Sequence, residues 1–159
     1  MKEILLDESG YKQFIEEMEK LKSKSDLSAI SGSEAYTNAV GDGWHDNFAF
    51  EESMRESRLI AKRIDDMYDL KKHIKVIEDK NKKEDVVNLN DKVVVEIIYS
   101  DDDKEEDTLI LTGKFIPSTH EITINSPIGK AIYKAKMGST QKYNVGEKEI
   151  QVKIIKKLV

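Results

Sequence analysis

The residues with the most capacity for chemistry crowd into one short stretch: Gly41, Asp42, Gly43, Trp44, His45, Asp46 and Asn47, followed by Glu51 and Glu52. Asp42 and Asp46 bring two carboxylates to a Gly-containing bend, with His45 between them. Hard cations such as Mg²⁺ take carboxylate oxygens and keep several waters, so two acids supply part of a shell without closing one. One reading is therefore an incomplete metal site that a partner finishes. The other is that Asp42 and Asp46 cap the helix that follows, a task Asp performs well. His45 is most simply a loop histidine. Trp44 is less ordinary, because a large aromatic gains little at an exposed bend unless it packs or meets a partner.

Elsewhere the chain offers no self-contained active site. It holds no Gly-rich phosphate loop, no nucleophile elbow and no His-rich metal motif. His73 falls among charges in a helical stretch and His120 precedes a strand, both readable as surface residues. The chain has no Cys, which excludes a disulfide framework, a thiolate metal site and a cysteine nucleophile.

The bend must be held by what flanks it. Tyr11, Phe14, Ile15, Met18 and Leu21 lie along one face of a helix, with Asp7 as its N-cap and Glu8 near the positive end of its dipole. The pattern weakens through Leu27 and Ile30, and Ser31-Gly32-Ser33 is a poor helix former. After the break at Gly41-Asp42-Gly43, a second stripe steps by three and four: Phe50, Met54, Ser57, Ile60, Ile64, Met67, Lys71 and Ile74. Two narrow seams around one break predict an antiparallel coiled-coil hairpin over residues 1–80. A helix of about 28 residues is roughly 40 Å long at 1.5 Å per residue.

Composition agrees. Of 159 residues, 36% are charged and 38% apolar, a balance that suits a two-sided solvated element joined to a small core-bearing domain. The formal charge of -5 argues against a generic nucleic-acid binder held by charge alone. Residues 1–80 carry 13 Lys/Arg against 18 Asp/Glu, and residues 81–159 carry 13 against 13, so the whole acidic excess sits in the first half. No apolar run approaches the roughly 18 residues of a membrane span, and no signal-peptide pattern opens the chain. A soluble cytoplasmic protein is the expectation.

The second half switches to a period near two. Lys92–Ile98 and Asp107–Thr112 are predicted strands of a hairpin, with the acidic run Asp101 to Glu106 as its solvated loop. Ile122-Thr123-Ile124 is a third strand. Pro127 suits the first turn of a short helix reaching Lys134. Tyr143–Val145 and Glu149–Ile155 form a last hairpin around Gly146. About five strands and a helix make a small α+β domain over residues 84–159, with Asp79–Glu84 as the linker.

The order of these parts resembles the bacterial Gre transcript-cleavage factors of the GreA/GreB type, over essentially the full chain. The strongest likeness is Ile122-Thr-Ile-Asn-Ser-Pro-Ile-Gly-Lys-Ala-Ile132, followed by Gly138 and the closing Ile150–Leu158 strand. Leu6, Gly10, Phe14 and Leu21 are compatible, Gly41-Asp42 falls where the family has its Gly-Asp tip, and Arg63-Ile64 matches its returning helix. The resemblance implies a coiled coil that enters the secondary channel of bacterial RNA polymerase, and an FKBP-like α+β domain that docks on the channel rim. It implies that acidic tip residues help hold the polymerase's second catalytic Mg²⁺ for cleavage of backtracked nascent RNA. Asp42 maps onto the first family acid. Aligning Asn47 makes Asp46 the counterpart of the family's Glu, with one extra residue between the acids.

On this resemblance Asp42 and Asp46 share Mg²⁺ with the polymerase, and Ser126, Pro127 and Ile128 contribute to docking. Arg55, Arg58, Lys62 and Arg63 form a basic strip facing RNA or polymerase, or else a solvated face. The chain itself is then not an enzyme but stimulates the nuclease activity of its partner, acting as a monomer without a tightly bound cofactor. The altered tip motivates an alternative, a secondary-channel regulator that does not cleave. A prolyl isomerase is suggested by the fold alone, which does not carry function; only Phe115 of the four Phe lies in that domain.

Overall fold

The computed structural model describes residues 2–39 and 48–159, so Asp42, Trp44, His45 and Asp46 lie outside the described residues. The chain divides into two compact units, residues 14–73 and the combination of 1–13 with 74–159.

The first unit is a helical hairpin of α1 (Glu8–Ala39) and α2 (Phe48–Lys71). Asp7 caps α1 as expected, its Oδ1 accepting the Gly10 amide at 2.7 Å. The helix does not weaken at Ser31-Gly32-Ser33 but runs through it for 32 residues, about 48 Å at the standard rise. The pairing is antiparallel: Lys22 on α1 lies 5.2 Å from the ring of Tyr68 on α2. Further along, Lys24 meets Glu56 at 3.3 Å and Ser28 meets Ser57 at 2.8 Å.

The seam differs from the expected stripe in particulars. On α1 it follows Phe14, Met18, Leu21, Ser25, Ser28 and Gly32, all buried or half-buried. On α2 it follows Ser53, Ser57, Ile60, Ile64 and Met67, while Met54 is exposed. Met54 is one residue, about 100° of helix, away from Ser53, and the small hydroxyl takes the inward place. Lys71 is exposed and Leu70 half-buried instead, and Ile74 has left the helix for a strand.

The second unit holds β1 (Ile4–Leu6) paired in parallel with β2 (Ile74–Val76), and a five-stranded sheet in the order β5-β4-β3-β7-β6. These are β3 (Lys92–Ser100), β4 (Asp103–Thr112), β5 (Glu121–Thr123), β6 (Thr140–Val145) and β7 (Lys148–Leu158). Neighbours are antiparallel except β4 and β5, which are parallel. Alternation places Val93, Val95, Ile97, Leu109, Leu111, Val152 and Ile154 on one face, where they bury with Val87, Ile124 and, from helix α3 (Pro127–Ile132), Ile132. The α+β expectation holds.

Three expectations change here. The acidic run is not a loop: Lys104, Glu105 and Glu106 pair with Ile98, Ile97 and Glu96, leaving Asp101 and Asp102 to turn the hairpin, because backbone pairing to β3 overrides their low strand preference. The short helix ends at Ile132, two residues before the expected Lys134, whose φ of 59° is left-handed. The expected boundary at 80–84 lies inside the second unit, which gathers residues 1–13 with 74–159. Asp79, at the start of the expected linker, is an anchor: its carboxylate accepts the Leu89 amide at 2.7 Å and bonds Lys134 Nζ.

Candidate functional site

The helices that lead to residues 40–47 are held by a seam of changing character. Phe14, Met18, Ile60 and Met67 are at most 5% exposed. Nearer residues 40–47 the facing side chains are Ser25, Ser28 and Gly32 against Ser53 and Ser57. Ser28 and Ser57 share a hydrogen bond, and Ser53 Oγ donates to the Ser28 carbonyl at 3.4 Å. Glu51 and Glu52, named with the bend, are exposed in the first turns of α2. Among the described residues, no three His, Asp or Glu side chains are grouped to hold a metal.

All four residues of the basic strip are exposed on α2, and none forms an ion pair with a described residue. Successive residues turn by about 100°, so Arg55, Arg58 and Lys62 share a face while Arg63 turns away toward α1. Arg55 and Arg63 line, with Lys24 of α1, a groove of about 680 Å³ that also includes Leu21, Leu59 and Ile60 and the acids Glu52 and Glu56. Lys24 has no distinguishing signal in the sequence alone. The antiparallel pairing that places Lys24 opposite Glu56 is the signal for it, and that requires the register.

The run at the start of α3 is mostly structural. Ser126 is the N-cap: its Oγ accepts the Gly129 amide at 3.0 Å and donates to the Thr123 carbonyl at 2.7 Å. Those bonds occupy its hydroxyl. Ile128 is half-buried against the core, and Pro127 is exposed. Gly129 is required by space, since a Cβ there would stand 2.0 Å from the Thr123 carbonyl oxygen. Of the three expected docking residues, Pro127 is thus the one presented to solvent.

Asn125, within this run, and Asp79, at the start of the expected linker, have roles that their residue types alone do not show. Asn125 brackets the backbone of Leu5, accepting its amide at 2.8 Å and donating to its carbonyl at 2.7 Å. The side chain of Asp79 is 7% exposed. Burial pushes its carboxyl up, but Lys134, the Leu89 amide and the Tyr133 hydroxyl outweigh that and hold it below the ordinary value. Asp91 behaves alike: burial raises it, and Lys157 at 2.7 Å with the amide and side chain of Asn88 lowers it further. Glu121 is lowered by Lys114 at 2.6 Å and by the Ser118 amide, which together fix the loop between β4 and β5.

The family model for the C-terminal domain of the GreA/GreB transcription elongation factors matches residues 81–156. The transcription elongation factor GreA of Acetivibrio thermocellus is 28% identical over 155 residues, covering 97% of this chain and 95% of that protein. GreA of Caldanaerobacter subterraneus subsp. tengcongensis is 29% identical over 155 residues, covering 97% and 96%. Among solved structures, the GreA factor homolog Gfh1 of Thermus thermophilus is 18% identical, covers 99% of this chain and 100% of its own, and has a TM-score of 0.45. Residues 81–156 thus carry the GreA/GreB C-terminal domain, and the chain is similar to GreA transcription elongation factors along nearly its whole length.

Proposed function

We propose that this protein binds bacterial RNA polymerase through the secondary channel and stimulates cleavage of backtracked nascent RNA. The observation that carries the reading is the placement of Asp42 and Asp46: two carboxylates in the short segment that joins the paired helices α1 and α2. The donor set fits Mg²⁺ in kind, being hard oxygen, and in number, being too few to hold the ion without the polymerase. When bound, the ion activates water for phosphodiester hydrolysis. The chain's own part is to carry the two carboxylates on a long helical stem, while Pro127 and its surroundings meet the polymerase.

A second reading, a regulator that enters the channel without promoting cleavage, is favoured by one feature. Gly43-Trp44-His45 separates Asp42 from Asp46 by one residue more than the family spacing, and Asp is one methylene shorter than Glu. Incubating the protein with a stalled, backtracked polymerase complex and Mg²⁺, and scoring RNA length, separates the two. Shortened RNA supports cleavage stimulation. Binding with unchanged RNA supports the non-cleaving regulator.

A further inference from the structure

Five exposed residues share one stripe of α2: Glu52, Arg55, Leu59, Arg63 and Asp66. Their steps are three, four, four and three, and at 100° per residue they fall within about 80° of one another. The order is symmetric about Leu59, with a guanidinium four residues away on either side and a carboxylate seven residues away. Leu59 is 62% exposed and, with Arg55 and Arg63, lines the groove shared with Leu21 and Lys24 of α1. The charges of the stripe are not paired with one another. Glu17 with Lys20 and Asp69 with Lys72 close ion pairs three residues apart at 2.7 Å. Glu52 and Arg55 have the same spacing and order, and Arg63 and Asp66 the same spacing, yet none of these four forms an ion pair with a described residue. Glu56, the other acid of the groove, is taken by Lys24 at 3.3 Å. An exposed leucine alone marks nothing. A leucine centred in a symmetric frame of unpaired charges presents a pattern that a second helix can complement side chain by side chain.

We propose that this stripe docks a helix of a protein partner, one with an apolar residue flanked by carboxylates four residues to either side and by basic residues three beyond those. The apolar residue enters the groove beside Leu59, the carboxylates meet Arg55 and Arg63, and the basic residues meet Glu52 and Asp66. Burial of Leu59 supplies attraction, while the charges fix register and reject helices of the opposite pattern. Because the order is symmetric, the partner helix fits in either direction. Nucleic acid fits less well, since a phosphate chain along the stripe meets a carboxylate at each end and Leu59 offers a base no ring to stack on. The surface does not depend on the cleavage reading and is tested without polymerase or Mg²⁺.

Two synthetic peptides on an Ala-rich helix-forming background probe it against the isotope-labelled full chain at low salt. The first bears Lys, Glu, Leu, Glu and Lys at the spacing of the stripe, and the second exchanges every Lys and Glu. Backbone amide shifts are followed by NMR during titration. The first peptide is expected to shift residues 52–66 and 21–24 saturably, and the second to bind at least about tenfold more weakly. The chain carrying Glu52→Lys, Arg55→Glu, Arg63→Glu and Asp66→Lys is expected to reverse that preference, which a merely damaged helix cannot do. The comparison of the two peptides on the unsubstituted chain stands without this variant. Equal affinity for both peptides, or no saturable shift within residues 52–66, overturns the proposal. Displacement of the first peptide by a single-stranded RNA oligonucleotide at the same salt assigns the stripe to nucleic acid and overturns it as well.

Discussion

The side-chain amide of Asn125 holds Leu5, 120 residues earlier, by both backbone groups, at 2.8 Å to the amide and 2.7 Å to the carbonyl. Leu5 lies in β1, whose backbone pairs in parallel with β2. The amide of Asn125 thus supplies the hydrogen bonds that a further strand would otherwise provide. Leu6 beside it is 1% exposed, so the bracket seats a buried residue as well as a strand.

Removing the bracket leaves two partly buried backbone groups without those partners. Asn125→Ala is expected to lower stability by about 2 kcal/mol, within the range for orphaned polar groups. Denaturant unfolding followed by circular dichroism checks this. Asn125→Asp, which keeps the acceptor and loses the donor, should fall between the two.

Gly129 cannot take a side chain without moving the Thr123 carbonyl. Gly129→Ala is expected to cost about 2–3 kcal/mol, at the upper end for forced overpacking. A change below about 0.5 kcal/mol, typical of a neutral surface site, would mean that the start of α3 has room to shift.

Much of this architecture is legible in residue types, and the losses have physical causes. Phe14, Met18 and Leu21 announce α1 because apolar spacing is the strongest local signal. Ser25, Ser28 and Gly32 continue the same seam but give no hydropathy signal, and the exposed Leu27 and Ile30 mislead. The strands β1 and β2 have three residues each, too few to show a period, and depend on Asn125 and on each other. The acidic run becomes strand because β3 is there to pair with it. Asp42 and Asp46 were found by residue type and position in the sequence, whereas the groove joining Lys24 to Arg55 and Arg63 needs the helix register.

Acid should weaken the sheet unit through identifiable groups. Asp79, Asp91 and Glu121 all have folded-state pKa values below their ordinary ones. Depressed carboxylates contribute stability that is present above their unfolded-state pKa, near 4, and lost as pH falls through the lower folded-state values. Thermal melts should therefore be level from pH 7 to about 5 and fall steeply below about 4. Asp79→Asn with Asp91→Asn should be less stable at pH 7 and show a shallower acid limb. An unchanged limb would place the acid sensitivity elsewhere.

Arg55, Arg63 and Lys24 converge on one groove, while Arg58 and Lys62 lie off it. If this face meets polymerase or RNA, Arg55→Glu with Arg63→Glu should weaken polymerase binding by about tenfold or more, and more strongly at low salt. Arg58→Glu with Lys62→Glu should have the smaller effect. Competition binding at two salt concentrations checks the ranking, and equal affinities for all forms would make the basic residues a solvated face.

On the proposed function, Asp42 and Asp46 serve cleavage and not attachment. This is tested most directly by Asp42→Asn with Asp46→Asn, measured for RNA shortening in backtracked polymerase complexes with Mg²⁺ and, in parallel, for polymerase affinity. The unsubstituted protein is expected to shorten the RNA, the double variant to lose this, and both to bind with equal affinity. A double variant that shortens RNA as fast as the unsubstituted protein would contradict this.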